Sequence, residues 1–310
     1  IYAAGLVFQF GYNIAAALLR ALGDSKATLY FLLVSSVLNV VLDLAFVAGL
    51  GMGVAGAAIA TVISQIASCV IGFAYMHRRY ALLRFSLREL RMDLKTAGRI
   101  LQVGAPMAIQ QSIVSCGFLF LQKLVNLFGE SMIASYTVAT RMENILMIPI
   151  IGIQNTMATF AGQNMGARQP ERIRKIIRTG LGMHLGFSAL FSLTLFLTRY
   201  LTVRCFTDDP AVIAEGVTII CMLAFFYPVF CCVEVFSSAM RGCGNSVMPT
   251  VLTLFGTCLL RLALLYTVTF PHLNNWTIAI CYPATWGTTS LLFLIYYRFF
   301  RWMPGQKPQT

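Results

Sequence analysis

Long stretches without one charged side chain constrain this chain more than any motif does. No Asp, Glu, Lys or Arg occurs at positions 100–122, 144–167, 179–198, 242–260 or 262–297. A bilayer takes about 20 apolar residues per spanning helix. Soluble domains carry roughly 25% charged residues, and this chain carries 11%. It therefore reads as an all-α polytopic membrane protein. Ile1 already stands in an apolar stretch with no charged start and no cleavage site, so the expectation is that sequence precedes it. The nine cysteines lack CxxC spacing. That argues against a disulfide framework or a zinc site, and they read as small apolar residues in helices.

Nine spans are predicted, at roughly 2–19, 27–49, 54–76, 100–127, 133–161, 177–198, 213–239, 247–269 and 275–297. Pro106, Pro149, Pro228 and Pro283 fall inside them, where membrane helices tolerate proline. The loops alternate in charge. The third carries eight basic side chains between His77 and Arg99, counting His77, and the fifth carries Arg168, Arg172, Arg174, Lys175 and Arg178. The second and eighth carry no formal charge. The positive-inside rule then makes the odd-numbered loops and the tail cytoplasmic. The +12 net charge reads as topology, and no nucleic-acid partner is expected. The basic amphipathic stretch 77–95 is read as a linker between two halves, with a place on the inner membrane surface as the alternative.

"LLRALGDSKAT" (18–28) resembles "AMRGCGNSVMPT" (239–250). Arg20, Gly23 and Ser25 align with Arg241, Gly244 and Ser246 at a span boundary in both copies. Ala60-Thr61 aligns more loosely with Ala284-Thr285. Six spans separate the copies, so both have one orientation, which predicts parallel repeats about an axis along the membrane normal. The second repeat holds six spans and the first only three. Three helices are therefore expected before Ile1, and twelve in all.

Three acids lie within spans: Asp43, Glu143 and Glu234. A charge at bilayer depth costs about 2.5–3.5 kcal/mol on insertion scales, so each needs a partner, a proton or water. Asn39 is one turn from Asp43, Asn13 is the main polar group of the preceding span, and Thr61 lies in the next. This set offers oxygens for sodium, or a buried carboxyl that takes and releases a proton. The structural alternative is that Asn39 and Asp43 only join helices. Glu143 lies two residues from Arg141 and cannot pair with it along the helix. Glu234 has Arg261 as a conceivable partner. His184 is expected to be a hydrogen-bonded interhelical histidine.

"RALGDS", "GVAGAAIATVISQ" (53–65), "GAPMAIQQ" (104–111) and "GQNMGAR" (162–168) resemble the multidrug and toxic compound extrusion family across essentially the whole chain. The resemblance implies two six-helix bundles related by a pseudo-two-fold axis, in a monomer of the bacterial inner membrane. It implies export of cationic drugs in exchange for protons or sodium, with no cofactor. Residues 1–77 would be helices four to six, the second half of the N-lobe. Residues 78–97 would be a cytoplasmic linker, 98–302 the C-lobe with helices seven to twelve, and 303–310 a cytoplasmic tail. In some members an N-lobe site couples the ion, and Asp43, Asn39, Asn13 and Thr61 match it in type and spacing. The only metal expected is sodium at Asp43. Other members carry an acid on the seventh helix. Here Gln110 and Gln111 occupy that stretch, and with Glu143 and Glu234 they become candidates for a C-lobe polar path.

The alternative within the superfamily is a lipid-linked-oligosaccharide flippase, which needs a basic cavity. Arg141 and Arg261 are the main basic residues inside these spans. An intramembrane enzyme is not expected, because neither GxSxG nor HExxH occurs.

Overall fold

The computed structural model describes residues 1–84, 93–269, 275–300 and 302–303. Most of the predicted tail, residues 85–92 of the linker (Arg88 included) and 271–274 of the eighth loop lie outside the described residues. Every regular element among the described residues is helical.

Two compact units divide at Asp93/Leu94. The first contains α1 (Tyr2–Ala21), α2 (Ser25–Asp43) and α3 (Gly53–Arg79). The second contains α4 (Leu94–Val125), α5 (Glu130–Gly166), α6 (Pro170–Leu197), the short α7 (Arg199–Arg204), α8 (Pro210–Gly242), α9 (Val247–Thr253), α10 (Leu260–Leu264) and α11 (Asn275–Phe299). Among the described residues, 8 helices are long and apolar enough to cross a membrane, and they coincide with the first eight predicted spans. The ninth prediction coincides with α11.

The helices overrun the apolar stretches. α5 has 37 residues, or about 55 Å at 1.5 Å per residue, against a hydrocarbon core of about 30 Å. α6 starts at Pro170, where proline's fixed φ suits the first helical position. Arg172, Arg174, Lys175 and Arg178 therefore stand on a helix, not in the predicted loop. Hydropathy marks where lipid ends, whereas backbone hydrogen bonding continues into the interface.

The repeat is visible in hydrogen-bond geometry. Gly23 and Gly244 have φ of +86° and +88°, a left-handed conformation that glycine adopts without steric cost. Each closes a helix end in the same way: the Asp24 N–H donates to Leu19 O at 2.9 Å, and the Asn245 N–H to Met240 O at 3.0 Å, the 6→1 bond of a Schellman cap. The next residue then caps the following helix. Asp24 Oδ1 accepts from the Ala27 N–H at 3.2 Å, and Asn245 Oδ1 from the Met248 N–H at 3.4 Å. The correspondence extends to a helix irregularity that the sequence match did not include, and the aligned pair Thr61 and Thr285 shares a local bond. π-helical segments begin at Leu44 and at Leu265, each at the same distance from its corner. Thr61 and Thr285 each bond the carbonyl four residues back, at 2.9 and 2.8 Å.

Asp24 also ties the first corner to α3. Tyr75 and Tyr80 hydroxyls donate to its Oδ2 at 2.9 and 2.8 Å. Partial burial opposes ionisation, but the bonds from Tyr80, Ala27 and Tyr75 and the charge of Arg79 prevail and hold this carboxyl below its ordinary range. A depressed acid stabilises the fold above its unfolded value, and that contribution fades as pH falls below about 4. Asp24→Ala removes a helix cap and two charge-assisted bonds. It is expected to cost about 2–3 kcal/mol, read as a lower thermal midpoint, with the difference from the parent shrinking toward acid pH.

In the second unit α8 is the central helix, and its buried residues run from Val212 to Met240. Asp209 caps it (Ala211 N–H to Oδ1, 2.8 Å). Glu215 near its start accepts from Ser131 Oγ on α5 at 2.9 Å. α5 crosses α8 through a glycine: a Cβ on Gly242 would meet Ala158 O at 2.3 Å. Small residues allow such approach between membrane helices. Because the obstacle is backbone, Gly242→Ala is expected to cost about 1–3 kcal/mol by overpacking, measured as lost yield of folded protein and a lowered midpoint. His184 departs from expectation. It is fully buried in α6, yet neither ring nitrogen has a hydrogen-bond partner among the described residues.

Candidate functional site

In the first unit the candidate ion group is set by how α1 and α2 lie along α3. Ser35 Oγ donates to Ser64 O at 3.0 Å, and a Cβ on Gly56 would meet Phe46 at 3.1 Å. Between these two contacts, Asn39 comes level with about residue 61 of α3 and Asp43 with about residue 58. Among the described residues, the buried atoms Asn39 Nδ2 and Asp43 Oδ1 have no hydrogen-bond partner. The Asp43 oxygen could accept from a proton donor or contact a cation, and the Asn39 amide could donate to an oxygen beside it. Thr61 Oγ1 meanwhile bonds Ala57 O.

Asn13 is placed differently. A Cβ on Gly11 would meet Cys69 Sγ at 2.6 Å, and Ala15 lies against Gly72. Asn13, which is exposed, is thus level with about residue 70 of α3, roughly 14 Å along the axis from Asn39 at 1.5 Å per residue. These contacts set Asn39 and Asp43 within about one turn of Thr61 along α3 and set Asn13 apart. Nearer is Gln65, whose buried Oε1 has no hydrogen-bond partner among the described residues and lies 2.7 Å from where a Gly5 Cβ would sit. Sequence reasoning passed over Gln65. The available signal was its place one turn after Thr61 on the same helix face.

In the second unit all four C-lobe candidates line one cavity of about 600 Å³. α4 supplies Gln110 and Gln111, α5 supplies Glu143, and α8 supplies Glu234. The wall opposite includes Thr257, from a second π segment (Leu254–Leu259), and Arg261. Such single-turn π segments are frequent at functional sites. This one is held against α11 at Gly256, where a Cβ would meet Thr289 Oγ1 at 2.1 Å. The remaining lining is largely apolar and aromatic, with Phe118, Phe230 and Trp286.

The polar groups have distinct partners. Gln154 Nε2 donates to Glu234 Oε2. Arg241 donates to Gln110 Oε1 at 2.8 Å. Arg261 lies 4.3 Å from the centre of the Tyr282 ring and donates to Thr285 Oγ1 at 3.2 Å. The conceivable Glu234–Arg261 pair is not formed. Among the described residues neither Glu143 nor Glu234 has a cationic nitrogen within 4.0 Å. Tyr282 also shares a buried 2.7 Å hydroxyl–hydroxyl bond with Tyr136, which fixes the ring under Arg261. Among the described residues the cavity thus offers two carboxylates without an ion pair, one guanidinium engaged by a ring and a hydroxyl, three side-chain amides (Gln110, Gln111 and Asn144) and the aromatic side chains of Phe118, Phe230 and Trp286. That set suits an amphipathic organic ligand with a positive charge.

Comparison with known proteins follows the same line. The MatE family profile matches residues 106–267. The chain is 29% identical over 299 residues to the probable multidrug resistance protein YpnP of Bacillus subtilis, covering 96% of this chain and 66% of that protein. It is 28% identical over 272 residues to the probable multidrug resistance protein NorM of Thermotoga maritima, covering 84% and 57%. The chain thus spans about two thirds or less of these relatives' length. Among solved structures it is similar to a MATE in the bent conformation, with a TM-score of 0.87 at 23% identity, covering 95% of this chain and 66% of that one.

Proposed function

This chain belongs to the MatE family, a multi-pass protein of the cell membrane, and from that premise we propose that it exports organic cations by antiport. The cavity of the second unit would take the substrate, and the Asp43 group of the first unit would take the coupling ion. One observation carries this reading: Glu143 and Glu234 line a single cavity with aromatic side chains in its wall, and among the described residues neither has a cationic nitrogen within 4.0 Å. A cationic amphiphile fits by charge at the carboxylates and by stacking on Phe230 or Trp286. The printed names of the relatives, probable multidrug resistance proteins, point the same way.

At Asp43, a proton or sodium would satisfy the orphaned Oδ1, with Asn39 and Thr61 near by. Ion binding there would favour one conformation, and the substrate another. Exchange then follows from linkage, without contact between substrate and Asp43. The reading is of a carrier, not an enzyme, acting as a monomer. The flippase alternative is weaker, because it needs a basic cavity for an anionic headgroup, and this one carries two carboxylates to one guanidinium.

The test uses inside-out vesicles containing the full-length protein and a cationic dye. An imposed proton or sodium gradient is expected to drive dye accumulation. Gradient-independent movement of a lipid-linked oligosaccharide, with no dye transport under either gradient, would replace this reading with the flippase.

A further inference from the structure

A second opening lies away from the cavity, between α5 and α6. It is a groove of about 560 Å³ with an almost wholly apolar lining, including Pro149, Gly152, Met157 and Phe160 on α5 and Gly180 and Met183 on α6. One charged side chain lines it, Lys175. Lys175, Thr179 and Met183 follow at four-residue spacing along one face of α6. The groove therefore runs from a cationic end to an apolar end over about 12 Å.

The cationic end is reinforced. Arg172 and Arg178 are exposed within one turn of Lys175. The one acid near by, Glu171, is taken by Arg174 at 3.7 Å. Among the described residues, Lys175 has neither an ion pair nor a hydrogen bond. The groove has free space at Gly152, where a Cβ would meet nothing within 4 Å. The positive-inside rule puts this end at the cytoplasmic interface, where anionic headgroups attract basic side chains.

We infer that this groove is a binding site for one anionic phospholipid, its phosphate on Lys175 and an acyl chain lying along Gly152 and Met183 toward Pro149. Charge complementarity selects an anionic headgroup. The apolar run beyond Lys175 selects a chain-bearing ligand over a free phosphate. The proposal stands apart from the transport reading, since none of its residues lines the cavity. α5 carries Glu143 on another face, so a seated lipid would touch the helix that bears a cavity carboxylate.

The test is thermal unfolding of the purified full-length protein in detergent, with phosphatidylglycerol, with phosphatidylcholine of the same chains, or with glycerol 3-phosphate. Phosphatidylglycerol is expected to raise the midpoint by several degrees more than phosphatidylcholine, and glycerol 3-phosphate not at all. Lys175→Gln should erase the preference for phosphatidylglycerol. Gly152→Leu, which fills open space, should keep the lipid-free midpoint and lose the response to both lipids. Equal shifts from the two lipids, a shift from glycerol 3-phosphate as large as from phosphatidylglycerol, or a full preference retained in Lys175→Gln would overturn the site. The Lys175→Gln comparison alone decides the matter if Gly152→Leu does not accumulate.

Discussion

Asp43→Asn in the full-length protein is expected to reduce gradient-driven efflux to background while the protein still inserts and folds. The substitution keeps the side chain's shape and leaves a polar group at the same place, so packing on α2 is preserved. What it removes is the negative charge that the proposed coupling role requires at this position, so on that proposal an imposed gradient would lose its point of action. Fold retention is measured by yield and thermal midpoint, coupling by dye movement under an imposed gradient. Undiminished gradient-driven efflux would take Asp43 out of the mechanism. Gln65→Leu is the companion variant. If Oε1 of Gln65 serves the same ion, its loss should weaken ion dependence without abolishing efflux.

The cavity carboxylates carry the second large effect. A charge pair about 4 Å apart at an effective dielectric near 20 is worth about 4 kcal/mol before desolvation. A net loss of about 1.4 kcal/mol per carboxylate is therefore a modest expectation, and it weakens cation binding about tenfold. Glu143→Gln should show this with unchanged yield, because no donor among the described residues is lost with its charge. Glu234→Gln keeps an oxygen for Gln154 and should behave alike. The double variant is expected to bind a cationic dye about 100-fold more weakly. A neutral dye should be unaffected, which separates lost charge from a collapsed cavity.

Much of the fold was legible because lipid imposes a one-dimensional signal. Charge-free runs of the required length gave the spans, and an Arg-Gly-Ser match at two span boundaries gave the corners, where the structure then shows a positive φ at both Gly23 and Gly244. Three things were not legible. The π segments at Leu44, Leu254 and Leu265 leave no mark in composition, since one residue added to a single turn changes no hydropathy. The cavity joins Gln110 to Arg261, and nothing along the chain announces that Arg261 rests on Tyr282. Asn13 matched its expected partners in type, but residue type carries no height. Side-chain contacts along α3 place it well away from Asn39, while Gln65, quoted within a motif and passed over, lies closer.

The most direct test of the account is equilibrium binding of a cationic dye to the purified full-length protein as a function of pH and of sodium. The parent protein should bind the dye more weakly as the coupling ion rises, because linkage requires two ligands that favour opposite conformations to weaken each other by the same factor. Asp43→Asn should bind the dye still, with an affinity that no longer varies with that ion. Dye affinity that remains ion-dependent in Asp43→Asn, with the same slope as in the parent, would contradict the assignment of ion and substrate to separate sites.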